Sequence, residues 1–218
     1  MPMLVMLKEH RLPSGEVITV PDRYVRASDF EGSLGQANNA EWKTVACNEA
    51  GEAVLPNGSI GFRWGPEGRS DAGKWNLEAK EAQRGNDVKL KLSLLEGDRP
   101  TTATAKVGFP YFGGIASEYF PHSEQGGDVL VRTVPVQRIS LGADKQALIA
   151  TVFDLLVANY GVARGLDGEL AAKSFDDDTP YTPAWQERIT GVPRAQVISV
   201  AREFAENAHK TQGRSMVI

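Results

Sequence analysis

The residues most able to do chemistry are few and scattered. Gly68-Arg69-Ser70-Asp71-Ala72-Gly73-Lys74 carries the Gly-x-x-x-x-Gly-Lys part of a phosphate-binding loop. Such a loop cradles phosphates on backbone N–H groups and holds magnesium on a following Ser or Thr. Here the next residue is Trp75, and a polar stretch stands where an apolar helix should follow. A hairpin loop is the better reading. Phe175-Asp176-Asp177-Asp178 offers three carboxylates in a row. A calcium or magnesium site needs oxygens that converge, commonly from alternate positions around a Gly, so a solvated turn is expected. His10, His122 and His209 stand too far apart in sequence for a zinc-binding helix, and His209 suits the end of a helix dipole. Cys47 is the single cysteine, which excludes an internal disulfide and a self-contained cysteine-ligated cluster. No Gly-x-Ser-x-Gly elbow is present.

Two features could shape a ligand channel instead of reacting. Val107-Gly108-Phe109-Pro110-Tyr111-Phe112-Gly113-Gly114 packs aromatics between glycines, and its rings can line a channel or pin a compact loop. Arg63 or Arg132 could draw an anion toward a funnel, although an ordinary structural arginine is the commoner case. Trp42, Trp64, Trp75 and Trp185 read as packing residues.

The elements that must hold these residues change character along the chain. Residues 1–133 read as a β-rich, loop-rich segment. Met1-Pro2-Met3-Leu4-Val5-Met6-Leu7 reads as a strand or short buried helix; it lacks the leading charges of a signal peptide. Strands are expected at residues 17–20, 42–46 and 88–94, the last with its lysines outward. Asn48 to Glu52 and Pro56-Asn57-Gly58 read as turns. Residues 65–86 and 96–106 read as polar loops. Residues 134–218 read as a helical α/β segment. A strand at 134–139 leads through a turn at Gly142-Ala143-Asp144 to Thr151, which caps a helix with Asp154 at its third position. Val152, Leu155, Leu156 and Asn159 share a face, and Gly161 stops the helix. Thr182-Pro183 begins a second helix, stopped by Gly191. Pro193 begins the longest, with an apolar stripe of Val197, Ala201, Phe204, Ala205 and Ala208. Ser215-Met216-Val217-Ile218 reads as a buried strand where a ligand-binding loop would follow. The fold class is therefore α+β, part of a larger α/β domain.

The 218 residues carry a formal charge of -4, and 41% are hydrophobic. That balance argues against nucleic acid as a partner, because phosphate binding needs a basic face. No apolar run reaches the roughly 20 residues of a membrane span.

Several stretches together resemble a known family. Tyr181-Thr182-Pro183-Ala184-Trp185, Ile189-Thr190-Gly191-Val192, Ala201-Arg202-Glu203-Phe204-Ala205 and the closing Gly213 to Ile218 resemble the molybdopterin oxidoreductases. Residues 56–65, Lys74-Trp75-Asn76-Leu77-Glu78, residues 107–114, Leu156-Val157-Ala158-Asn159-Tyr160-Gly161 and the opening Met1 to Leu7 narrow the resemblance. They are similar to the catalytic α subunits of membrane-bound respiratory nitrate reductases. The resemblance implies a parent that reduces nitrate to nitrite in anaerobic respiration, on the cytoplasmic side of the inner membrane. It implies molybdenum with two molybdopterin guanine dinucleotides, one 4Fe-4S cluster, an iron-sulfur β subunit and a membrane haem γ subunit. The family's cluster-ligand and molybdenum-ligand motifs do not occur in these residues. The chain is thus expected to be an internal, inactive segment, with no catalytic, cofactor-binding or metal-binding residue and no membrane insertion of its own. The alternative expectation is a module that contacts the β subunit.

Overall fold

The computed structural model describes residues 1–11, 15–57, 78–81, 85–95, 103–110, 129–166, 168–169, 171–211 and 215. The P-loop-like stretch 68–74, Arg63, Trp64, Trp75, His122 and residues 111–114 and 216–218 lie outside them.

The fold is α+β, built on a six-stranded sheet. In chain order the described strands are β1 (Leu4–Arg11), β2 (Val17–Tyr24), β3 (Ala46–Cys47), β4 (Ala53–Val54), β5 (Pro56–Asn57), β6 (Glu78–Glu81), β7 (Asp87–Lys89), β8 (Thr104–Pro110), β9 (Val129–Pro135), β10 (Gln137–Ser140) and β11 (Gln146–Thr151). The helices are α1 (Val152–Asn159), α2 (Pro183–Thr190) and α3 (Arg194–Lys210). The main sheet runs β10-β11-β1-β2-β8-β9, with β3-β4 and β5-β6-β7 as smaller sheets. Its pairings are antiparallel except β2 with β8, which meet in parallel at Thr19 and Val107.

Strand β1 explains why Leu4-Val5-Met6-Leu7 is a continuous apolar run, while its outer half, Lys8 to Arg11, is exposed. Leu4 and Met6 face one core, together with Val25, Val45, Cys47, Leu55, Leu94 and Ile149. Val5 and Leu7 face the other, together with Val107, Phe109, Val134, Ala150 and the α1 residues Leu155 and Ala158. Side chains alternate across a strand, so a strand covered on both faces has no polar alternation.

Local signals set the helix ends. Thr151 accepts the N–H of Asp154 at 3.0 Å, and Gly161 follows α1 with φ +71°. Thr182 caps α2 by accepting the N–H of Trp185 at 3.1 Å, and Gly191 ends it at φ +72°. The Thr182 hydroxyl also donates to the Asp177 carbonyl at 2.6 Å and is buried. Thr182→Ala is expected to cost about 1 kcal/mol, the usual loss of a cap, read as a lower urea midpoint with unchanged slope. No shift of the midpoint would remove the cap from this account.

The structure corrects several expectations. Of residues 42–46 only Ala46 is in a strand, and Trp42 is 78% exposed instead of packed. Backbone bonds from Leu4 and Ala27 to Val45 and Lys43 draw this stretch across the sheet end as isolated bridges. Residues 65–86 are not all loop, because Glu78–Glu81 pairs with β5 and β7. Pro56 and Asn57, expected in a turn, form β5 itself. Backbone pairing there proceeds without an apolar pattern to announce it. Thr104 to Lys106, expected in a loop, open β8. The strand expected over 88–94 ends early: β7 stops at Lys89, an isolated bridge follows at Leu90, and Ser93 and Leu94 turn toward Asp154. On α1 the buried face is Asp154, Leu155 and Ala158, and Leu156 is exposed.

Candidate functional site

A buried polar cluster is built around Asp154. Strand β11 carries the chain inward through Ile149, Ala150 and Thr151, all fully buried. The cap geometry then sets Asp154 on the first turn of α1, facing the interior. Its carboxylate is completely buried and gathers donors from three parts of the chain. Oδ2 accepts from the Thr151 hydroxyl at 2.8 Å and the Leu94 N–H at 2.8 Å. Oδ1 accepts from the Ser93 hydroxyl at 2.6 Å and from Arg164 Nη1 at 2.6 Å. Arg164 Nη2 donates back to Ser93 Oγ at 2.6 Å, and that oxygen also accepts the Leu95 N–H at 3.0 Å.

A second carboxylate aims Arg164. Glu169 accepts the backbone N–H groups of Arg164 at 2.7 Å, Gly165 at 2.9 Å and Leu166 at 3.3 Å. Thr133 on β9 donates to the Gly168 carbonyl at 3.0 Å and ties this loop to the sheet. The Arg164 guanidinium lies 5.6 Å from the centre of the Phe153 ring, within cation–π range.

This geometry decides what the cluster can do. A carboxylate offers about four lone-pair sites, and Asp154 fills four. It has none left to take a substrate proton or to hold a metal. The cluster therefore clasps residues 93–95, α1, residues 162–166 and residues 168–169 to one another. Residue spacing announced the Thr151–Asp154 cap but gave no sign of Ser93 or Arg164.

The other candidates go separate ways. Asp176 pairs with Arg194 at 2.8 Å, and Asp178 pairs with Arg188 at 3.1 Å. Asp177 accepts the N–H groups of Lys173 and Ser174. The three carboxylates thus shape a turn and dock it on α2 and α3 instead of converging. Among the described residues no group of three or more His, Cys, Asp or Glu is placed to hold a metal ion. Arg132 is only 6% exposed, under Gly161, and burial pulls its pKa down from the ordinary value. It is an interior residue. Phe109 is packed in the second core. Trp185 stacks edge-on with Tyr181, which stacks edge-on with Tyr160, each at 5.3 Å between centres.

Cys47 is 1% exposed, and burial pushes its thiol above the ordinary value, with Lys91 opposing. A thiol-specific dye is expected to label it far more slowly in the native chain than in denaturant. Equal rates would show that the first core does not enclose it.

Two open clefts flank these elements. One of about 520 Å³ is lined by Lys91, Leu94, Val136, Gln137, Arg138 and Leu148 among others. One of about 460 Å³ runs beside α3, with Phe175, Ile198 and Arg202 on its walls. No described helix is long and apolar enough to cross a membrane.

No family model matches the chain. Similarity to individual proteins is extensive. The respiratory nitrate reductase 1 alpha chain of Escherichia coli (strain K12) is 51% identical over 218 residues, which is 100% of this chain and 16% of that one. The nitrate reductase alpha chain of Bacillus subtilis (strain 168) is 38% identical over 197 residues, 90% of this chain and 14% of that one. The nitrate reductase alpha subunit of Mycobacterium tuberculosis (strain ATCC 25618 / H37Rv) is 37% identical over 220 residues, 100% of this chain and 16% of that one. The chain therefore spans about one sixth of the length of these relatives.

Proposed function

We propose, on the premise that this chain is a segment of a respiratory nitrate reductase α chain, that the complete protein reduces nitrate to nitrite in anaerobic respiration. The observation that carries the proposal is identity of 51% sustained over all 218 residues. A molybdenum bis(molybdopterin guanine dinucleotide) and a 4Fe-4S cluster would supply the oxygen-atom and electron chemistry when bound. The described residues do not fit either group: Cys47 is enclosed in the core and Asp154 is saturated by its donors. In this reading the ligands belong to other parts of the α chain, and no described residue is assigned as catalytic, cofactor-binding or metal-binding.

In this reading residues 1–133 and 134–218 form two parts of a framework that supports the cofactor-bearing regions. The main sheet already joins the parts by pairing β1 with β11, and the Asp154 cluster adds a buried polar tie, with Ser93 from the first part and Arg164 from the second. Electrons would come from quinol through a membrane haem subunit and an iron-sulfur β subunit, at the cytoplasmic face of the inner membrane.

Metal analysis and a reduced-dye nitrate assay on the complete α chain and on this chain test the proposal together. The complete chain is expected to hold molybdenum and iron and to turn over nitrate. The 218-residue chain is expected to hold neither in stoichiometric amount and to show no turnover. Turnover by the shorter chain would overturn its framework role. A metal-replete complete chain that left nitrate unchanged would overturn the activity.

A further inference from the structure

Helix α3 is amphipathic, yet its apolar side is uncovered among the described residues. On a helical projection at 3.6 residues per turn, Val197, Ile198, Val200, Ala201, Phe204, Ala205 and Ala208 fall on one side. The opposite side carries Arg202, Glu203, Glu206 and Lys210. None of the 17 residues is buried, Val200 is 65% exposed and Phe204 is 42% exposed. Phe175, 53% exposed, lines a cleft with Ala195 and Ile198 of this helix. Single exposed apolar residues need no explanation, but a continuous stripe with a polar opposite side does.

We propose that this stripe is a docking surface covered by the remainder of its own α chain. The inference rests on the assignment of this chain as a segment of that subunit. Two observations select the occupant. The relatives are about six times longer than this chain, so most of the polypeptide able to cover α3 lies outside these residues. The stripe is also small. Seventeen residues span roughly 26 Å, and a helix is about 10 Å across, so the stripe offers roughly 300 Å². A stable free-standing interface needs about 800 Å² from each partner. A second copy, or a separate subunit meeting only this stripe, gains too little contact to offset the cost of association. A segment of the same chain is already tethered and bears much less of that cost.

The test is hydroxyl-radical footprinting of the complete α chain, alone and with its β subunit, resolved at Val200 and Phe204. Both residues are expected to be oxidised at least roughly tenfold more slowly than the same residue types in an unfolded peptide, as enclosed side chains are. Protection should be the same in the lone α chain, in the complex and across protein concentrations. Reactive residues in the lone chain that become protected only with β would overturn the proposal in favour of a partner surface. Protection that grows with concentration would overturn it in favour of self-association. Reactivity in every state would show the stripe to be free. In support, Phe204→Asp should lower the soluble yield of the complete chain while Phe204→Leu and Glu203→Gln retain it. Equal yields from all three would count against enclosure. None of these readings requires nitrate turnover, so failure here is distinguishable from failure of the nitrate assignment.

Discussion

Asp154→Ala is expected to destabilise the fold by about 3–5 kcal/mol, the cost of breaking a buried pair by removing one partner. The carboxylate is fully buried, and the Arg164 side chain is only 13% exposed. Truncation strands the Arg164 guanidinium, the Ser93 and Thr151 hydroxyls and the Leu94 N–H in the interior. Each unsatisfied neutral donor costs about 1–3 kcal/mol before relaxation. Domains of ordinary stability have about 5–15 kcal/mol in all, so the variant should sit near the limit of folding. Urea denaturation followed by tryptophan fluorescence measures the loss. The double variant Asp154→Ala with Arg164→Met should recover part of it, because the stranded charge is then gone. Asp178→Ala provides the contrast. Its pair with Arg188 is more than half exposed on both sides, and such pairs contribute about 0–1 kcal/mol. Equal losses at Asp154 and Asp178 would sink the view of Asp154 as the clasp.

What the sequence revealed and what it hid divide along one physical line. Thr151, Gly161, Thr182, Pro183 and Gly191 act on backbone groups within a few positions, so residue type and spacing sufficed to place α1 and α2. The apolar run 4–7 announced burial but left strand and short buried helix open, and pairing with β2 and β11 decides for the strand. Asp154 shows the limit. Its cap partner is three residues away, but Ser93 lies 61 residues away, and nothing local joins the two. Trp42 fails differently. Indole size suggests burial, yet exposure is settled by which loop carries it. The stripe on α3 was visible as a pattern, and the pattern forms the expected helix. Whether such a stripe is covered is a property of tertiary structure, which residue spacing does not announce.

Gly35→Ala is expected to cost about 1–3 kcal/mol, a large effect for one added carbon. A Cβ placed on Gly35 would overlap the carbonyl oxygen of Phe30 and lie 3.2 Å from its carbonyl carbon. Both atoms are backbone, so no side-chain rotation relieves the overlap. The 31–40 loop must move instead, and that loop is fixed at both ends. Phe30 and Ala40 sit in the first core, with Leu34 and Ala37 packed on it, and the Ser28 N–H bonds to the Ala40 carbonyl at 3.2 Å. Gly142 is the instructive comparison. A Cβ there also meets a close neighbour, but the atoms are the carboxylate end of Glu31. That end is exposed and loosely held, 3.9 Å from Lys145 and 3.2 Å from the Ala143 N–H. It can swing away, so Gly142→Ala should stay within about 0.5 kcal/mol of the parent. Denaturant midpoints for the two variants test the argument directly. A cost at Gly142 equal to that at Gly35 would mean that rigidity of the neighbouring atom does not set the penalty. A Gly35→Ala chain as stable as the parent would mean that the loop yields without disturbing the core it covers.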